Sequence, residues 1–151
     1  MNYWLMKSEP GVYSIADLQR ERETLWEGVR NYQARNFLRA MSKGDLAFFY
    51  HSNTTPPGIA GLMRVVSPNV VDPTQFDPNS QYCDPKSIIE SPRWHTVAVE
   101  FVEAFPKLIP LETLKQEFSA EELWVVRRGN RLSVMSVPDA IAKKLIGMAL
   151  D

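Results

Sequence analysis

"DLAFFYHSNTTPPGIAGLMRVVS", residues 45–67, sets two runs of aromatic and aliphatic residues on either side of a segment that can belong to neither. Pro56 and Pro57 lack the amide hydrogen a strand ladder needs, and Gly58 favours a bend. The stretch therefore predicts two strands, "DLAFFYHS" and "IAGLMRVVS", joined by "NTTPPG". Working outward, "NYWLMKS" alternates Tyr3 and Leu5 against Trp4 and Met6, the pattern of a first strand with Lys7 and Ser8 at its end. "WHTVAVEFVEAF" places Val97, Val99 and Phe101 on one face of a long strand, and "NRLSVMSV" reads as the last strand.

Helices are expected between and after these strands. Ser14 with Asp17 three residues on forms a capping-box pattern, so a short helix should start at Ile15. "RNYQARNFLRAM" spaces Tyr32, Phe37, Leu38 and Met41 along one face, with Gly44 as the expected C-terminal cap. "PLETLKQEF" and "SAEEL" read as short helices, the second with Ser119 and Glu122 as a capping box, and "PDAIAKKLIGMAL" as a terminal helix with Pro138 in its first turn. Trp4, alternating within a strand, and Trp124, in an apolar helix or strand, read as structural. Residues 68–93 hold five of the eleven prolines and no apolar periodicity, which predicts an ordered loop or a mobile flap. The composite is α+β: one strongly curved sheet or small barrel with helices outside, a single domain over residues 1–151.

Composition narrows the function classes. Apolar residues at 44% and charged residues at 23% are ordinary globular usage, against disorder and coiled coil. A lone Cys83, and an N-terminus with neither a basic start nor a long apolar run, point to a reducing, cytoplasmic setting. No stretch approaches a membrane span. With 17 Lys+Arg against 18 Asp+Glu, charge alone would not hold the protein on nucleic acid. Two histidines, His51 and His95, and one cysteine offer no metal-ligand spacing and no cofactor motif, so neither a metal nor a cofactor is expected. A nucleophile pair of Cys83 with either histidine rests on presence alone; an inert loop thiol is the simpler reading.

"YWLMKSEP" at 3–10, "WEGVRNYQARNFLRAM" at 26–41, "GDLAFFYHS" at 44–52, "PPGIAGLMRVV" at 56–66, "DPTQFDP" at 72–78 and "RLSVMSV" at 131–137 follow one another in an order that resembles the EVE domain family. The resemblance implies a PUA-like fold, a small curved mixed β-barrel with surrounding helices, similar to the YTH domains that read a methylated adenine in RNA. It also implies a non-catalytic reader of modified bases in DNA or RNA. "KS" at the end of the first strand of YTH domains resembles Lys7-Ser8, a tryptophan before the next helix resembles Trp26, and a nearby asparagine resembles Asn31. Met135 stands where EVE members commonly carry glutamine, and Ala98 where an acidic residue is frequent.

The physical demand agrees with the resemblance. A flipped base offers two π faces and a hydrogen-bonding edge, so a reader needs aromatic walls and a few fixed polar groups. Trp26 is one wall; flanked by Leu25 and Val29, it reads on periodicity alone as a core residue, and the resemblance turns it toward a pocket. Tyr82 and Trp94 are candidates for an opposing wall. Lys7, Ser8, Val29, Asn31, Ser52 and Ser133 are the expected lining, with Arg30, Arg35, Arg39 and Arg131 on the nucleic-acid backbone. Two other readings stay open: a hydrolase of modified nucleosides using Lys7 and Glu9 as acid and base, and a protein-interaction adaptor using the long loop.

Overall fold

Two long antiparallel strands, β4 (Gly58–Val71) and β5 (His95–Pro110), form the spine of the fold, paired from Gly58 opposite Pro110 to Val71 opposite His95. The computed structural model describes residues 1–150. The ladder slips register at four points along β4, and each slip adds bend and twist. Close approach sharpens the curve at Gly61, where a Cβ would lie 2.7 Å from the Ile15 side chain. Around this spine lie β1 (Tyr3–Ser8), β2 (Glu23–Leu25), β3 (Leu46–His51) and β6 (Val134–Val137), in the order β2-β5-β4-β3-β1-β6. Only the β1–β3 pair is parallel.

The fold is α+β, as expected, but the sheet does not close into the small barrel. Among the described residues β2 and β6 stand at opposite ends of the strand order and do not pair. β2 has three residues and β6 four, too few to bridge the gap that the curl of β4 and β5 leaves. The one-sided alternation expected in β1 is absent too: Trp4, Leu5 and Met6 are consecutively buried, as are Ala47 to Tyr50 in β3. Consecutive burial means that these strands are covered on both faces.

The helices are α1 (Ile15–Glu21), α2 (Tyr32–Ala40), α3 (Leu111–Glu117) and α4 (Asp139–Leu150). Ser14 and Asp17 make the expected reciprocal cap on α1, and the Nε2 atom of His51 accepts from the Ile15 amide at 3.1 Å. That bond needs a neutral imidazole, and burial lowers the His51 pKa in the same sense. α2 ends at Met41, whose amide donates to Leu38, so Gly44 is not its cap; Gly44 (φ +94°) shapes the turn into β3. Ser119 and Glu122 exchange the expected hydrogen bonds, at 2.9 and 3.2 Å, yet "SAEEL" closes a turn rather than a helix and passes into a 3₁₀ turn, Trp124–Val126.

Residues 72–94 form an ordered flap, because β4 and β5 extend into its ends and a buried amide pins its middle. Gln75 is fully buried, donating to the carbonyls of Asp72 (2.7 Å) and Trp94 (2.8 Å) and accepting from the amides of Arg93 and Trp94. A similar hub sits at the start of β3. The buried Asp45 carboxylate accepts from the Trp4 indole (2.9 Å) and from the amides of Asn2 (3.1 Å) and Ser42 (2.9 Å), which makes Trp4 structural, as expected. Asp45→Ala leaves those donors buried without an acceptor and is expected to cost about 3 kcal/mol in urea unfolding, whereas Asp45→Asn, which keeps one acceptor oxygen, should cost clearly less. Equal losses in the two variants would show that volume rather than hydrogen bonding matters there.

Candidate nucleic-acid interface

A cleft of about 690 Å³ opens where the end of β1, the turn after β2 and the flap converge. β1 contributes Lys7 and Ser8, followed by Glu9; the segment before α1 adds Val12 and Tyr13. β2 and the turn after it contribute Thr24 to Arg30, the flap Gln81 and Tyr82, and the approach to β6 Ser133. Of the residues expected from sequence, Lys7, Ser8, Trp26, Val29, Tyr82 and Ser133 are brought together, with Arg30 beside them.

Trp26 lines this cleft while being only 7% exposed. Its ring meets Phe49 edge-on at 5.4 Å, its amide donates to the Val97 carbonyl at 3.0 Å, and its carbonyl accepts from the Thr96 hydroxyl. It is thus a core anchor that also presents surface to the cleft, so the two roles weighed in the sequence coincide. Substitution at Trp26 cannot spare stability, contrary to what a free-standing wall would allow.

Three expected lining residues lie elsewhere. Asn31 is the N-cap of α2, its Oδ1 accepting from the Ala34 amide at 2.9 Å, so the oxygen that would read a base edge is occupied. Ser52 extends the β1–β3 ladder by donating its amide to the Ser8 carbonyl at 3.0 Å. Trp94 is buried away from the cleft: its indole N–H donates to Asp84 at 2.8 Å, and its ring stacks on Tyr32 at 4.9 Å. It pins the flap instead of facing the cleft.

Arg30 also departs from expectation. Its Nε and Nη2 donate to the Tyr82 carbonyl at 3.0 and 2.7 Å, Nη2 also reaches the Thr74 hydroxyl at 2.9 Å, and Nη1 binds the Val29 carbonyl and Asp72. With its donors spent inside the protein, Arg30 has none left for a phosphate; it clamps the flap. Arg35 is half-committed, donating to the Arg93 carbonyl at 3.0 Å and lying 4.8 Å over Tyr32. Arg39 makes no ion pair among the described residues, and neither does Arg131 in the exposed loop before Ser133.

Asp72, 1% exposed, joins the clamp to the cleft wall. Its Oδ2 accepts from the Gly28 amide (2.9 Å) and Arg30 (3.1 Å), its Oδ1 from the amide (2.9 Å) and hydroxyl (2.6 Å) of Thr74. Gly28 holds φ +88° and lies under the Tyr82 ring, whose carbons would sit 2.7 Å from any Cβ there. Sequence reasoning missed Thr24 and Glu27 because β2 is too short to show a period, and Gln81 because it lies in a flap with no periodicity. The side chains of Lys7 and Glu27 make no hydrogen bond or ion pair among the described residues, though the Lys7 ammonium stands 5.8 Å over the Tyr50 ring. Burial lowers the Lys7 pKa; burial, then the nearby charge of Asp72, raises that of Glu27. Glu9 accepts from Asn53 at 3.2 Å, so Lys7 and Glu9 share the cleft without bonding each other. Among the described residues no group of three or more His, Cys, Asp or Glu side chains is placed to hold a metal, and no helix is long and apolar enough to cross a membrane.

Burial alone would raise the Asp72 pKa, but the hydrogen bonds from Thr74, Gly28 and Arg30 outweigh it and hold the carboxyl below its usual 3.8. The unfolded chain therefore binds that proton more tightly. The stabilisation is complete above the usual value and is lost as the pH falls through the lower folded one. Asp72→Asn is expected to destabilise by about 2–3 kcal/mol near neutral pH and to flatten the acid limb of the stability profile. Amide exchange of residues 74–84 should rise with it; an unchanged exchange rate would mean that the flap is held without Asp72.

The chain is 50% identical over 132 residues to human thymocyte nuclear protein 1, covering 80% of this chain and 59% of that one, so it spans under two thirds of that relative's length. A crystal structure from Pseudomonas putida matches with TM-score 0.94 at 48% identity, over 97% of this chain and 99% of the other. A crystal structure of human THYN1 in complex with 5-methylcytosine-containing DNA matches with TM-score 0.92 at 41% identity, over 100% and 99%. The Mmi1 YTH domain shares the fold, with TM-score 0.55 at 13% identity over 99% of this chain and 90% of that one. The EVE domain model matches residues 2–148, and the chain belongs to that family.

Proposed function

We propose that this protein binds DNA carrying a modified base and takes that base, turned out of the duplex, into the cleft beside Trp26 and Tyr82. The observation that carries the reading is the likeness, at TM-score 0.92, to the human protein whose complex contains 5-methylcytosine DNA. The cleft adds physical support: an indole and a phenol ring line it, and among the described residues these two rings do not touch each other. Stacking a base on one aromatic ring contributes roughly 1–3 kcal/mol. Arg35, Arg39 and Arg131 supply the phosphate contacts in this reading; Arg30 does not. Asn31 and Trp94 act indirectly, the first by starting α2 and the second by seating the flap.

With so few basic contacts, unmodified DNA should bind weakly and with a shallow salt slope. Fluorescence anisotropy with matched duplexes, one carrying a single 5-methylcytosine, is expected to favour the modified one; equal binding of both, or preference for a methylated RNA, would overturn the reading. Tyr82→Ala should weaken binding of the modified duplex by about 1–3 kcal/mol while leaving the melting temperature nearly unchanged, since the clamp grips the main chain of that residue. Trp26→Ala should lose affinity and also about 3–5 kcal/mol of stability, with Trp26→Phe intermediate in both. Retained stability in Trp26→Ala would contradict its place in the core.

A further inference from the structure

The stretch "RRGNR", residues 127–131, sets three arginines on one exposed turn of a chain whose net charge is −1. The turn is held firmly. Arg127 donates its amide to the Trp124 carbonyl at 3.0 Å, and Asn130 its amide to the Arg127 carbonyl at 3.2 Å. The Asn130 side chain ties the two ends, its Nδ2 donating to the Trp124 carbonyl at 2.7 Å and its Oδ1 accepting from the Leu132 amide at 2.9 Å. Gly129, at φ +73°, takes the left-handed position between them. Among the described residues Arg127, Arg128 and Arg131 form no ion pair. The carboxylates nearest in sequence, Glu121 and Glu122, precede the 3₁₀ turn, and Glu122 accepts from the Ser119 amide at 2.9 Å.

Placement gives the turn a partner. Two residues past Arg131, Ser133 lines the cleft, and its carbonyl accepts from the amide of Lys7, another lining residue, at 2.8 Å. Two residues reach at most about 7 Å, so the turn meets the rim of the cleft. At its start the guanidinium of Arg127 lies 5.0 Å over the Trp124 ring, which meets Phe37 of α2 edge-on at 6.0 Å. The turn therefore runs between the cleft and the helix that carries Arg35 and Arg39. Like charges held this close repel one another, and an anion between them relieves the repulsion. A guanidinium suits a phosphate in particular, because its paired N–H donors match two of the oxygens. A phosphate backbone beside a base-sized cleft uses both features, whereas an acidic peptide would leave the cleft without a role. Resting on the base-binding reading, we infer that the turn at residues 127–131 grips the phosphates of the strand that delivers the base, with Arg127 and Arg128 joining Arg131. Because the turn is fixed before the nucleic acid arrives, little freedom is lost on binding. Its contacts set position and carry no preference for one base over another.

The test follows affinity against salt concentration by fluorescence anisotropy, for the 5-methylcytosine duplex and its unmodified match. Arg128→Gln is expected to flatten the slope of log K against log salt by about one, and Arg127→Gln/Arg128→Gln by about two. Both duplexes should weaken by the same factor, so that the preference for the modified one stays. Arg128→Lys, which keeps the charge, should keep the slope, and so should Lys107→Gln, which removes an exposed charge of β5 outside the cleft. Arg128→Gln, at an exposed position, should leave the melting temperature unchanged, and it decides the matter alone if removing Arg127 from Trp124 loosens the fold. An unchanged slope in Arg128→Gln, an equal change in Lys107→Gln, or a loss confined to the modified duplex overturns the inference while leaving base binding intact. Equal binding of the two duplexes by the intact protein overturns the base-binding reading, and the slopes then decide the grip alone. Failure to bind either duplex overturns both.

Discussion

The buried carboxylate of Asp72 is the constraint on which the cleft depends. It takes one hydrogen bond from the turn after β2, one from Arg30 and two from the flap, and so ties segments more than forty residues apart in the chain. A buried carboxylate without those donors would be costly, and the donors without it would be stranded. The arrangement therefore forms together or not at all. Curvature of the spine strands brings the flap over the turn, and Asp72 fixes it there.

Trp26 shows how a small domain places a reading surface on its core. An indole that packs on Phe49 and lies between β2 and the flap has its orientation set by folding, so little freedom remains to be lost when a ligand arrives. Stability and recognition share one side chain. At Tyr82 they are largely separated, because the ring rests against the glycine backbone and the clamp's hydrogen bonds all go to its main chain.

Much of the fold could be read from residue order, since the long strands carry their own periodicity and α1 its own cap. Closure could not be read: whether a curved sheet meets its other edge depends on register slips in β4, which leave no pattern in side-chain types. The cleft lining was legible where position at a strand end decides it, as at Lys7 and Ser8, and at Ser133 just before β6. It was not legible where a distant partner decides. Asn31 suits a helix cap as well as a base edge, and nothing local to Arg30 shows that a carbonyl fifty-two positions on will absorb its donors. Tyr82 and Trp94 border the same flap, and only its folded path turns one ring toward the cleft and the other under Tyr32. Glu27 escaped notice because a three-residue strand precedes it.

The manner in which Arg30 grips the flap has a bearing on how such a cleft can diversify. The guanidinium hydrogen-bonds the carbonyl of residue 82 and merely stands over its ring at 5.8 Å, and Gln75 holds main-chain atoms together with the Ser87 hydroxyl. Attachment is thereby uncoupled from sequence at the tip. A lineage could exchange the ring at position 82, or the amide at Gln81 beside it, and present a new surface to the cleft with the anchorage undisturbed. The flap behaves as a cartridge: its socket is built by the invariant geometry of backbone carbonyls, and its contents are open to variation.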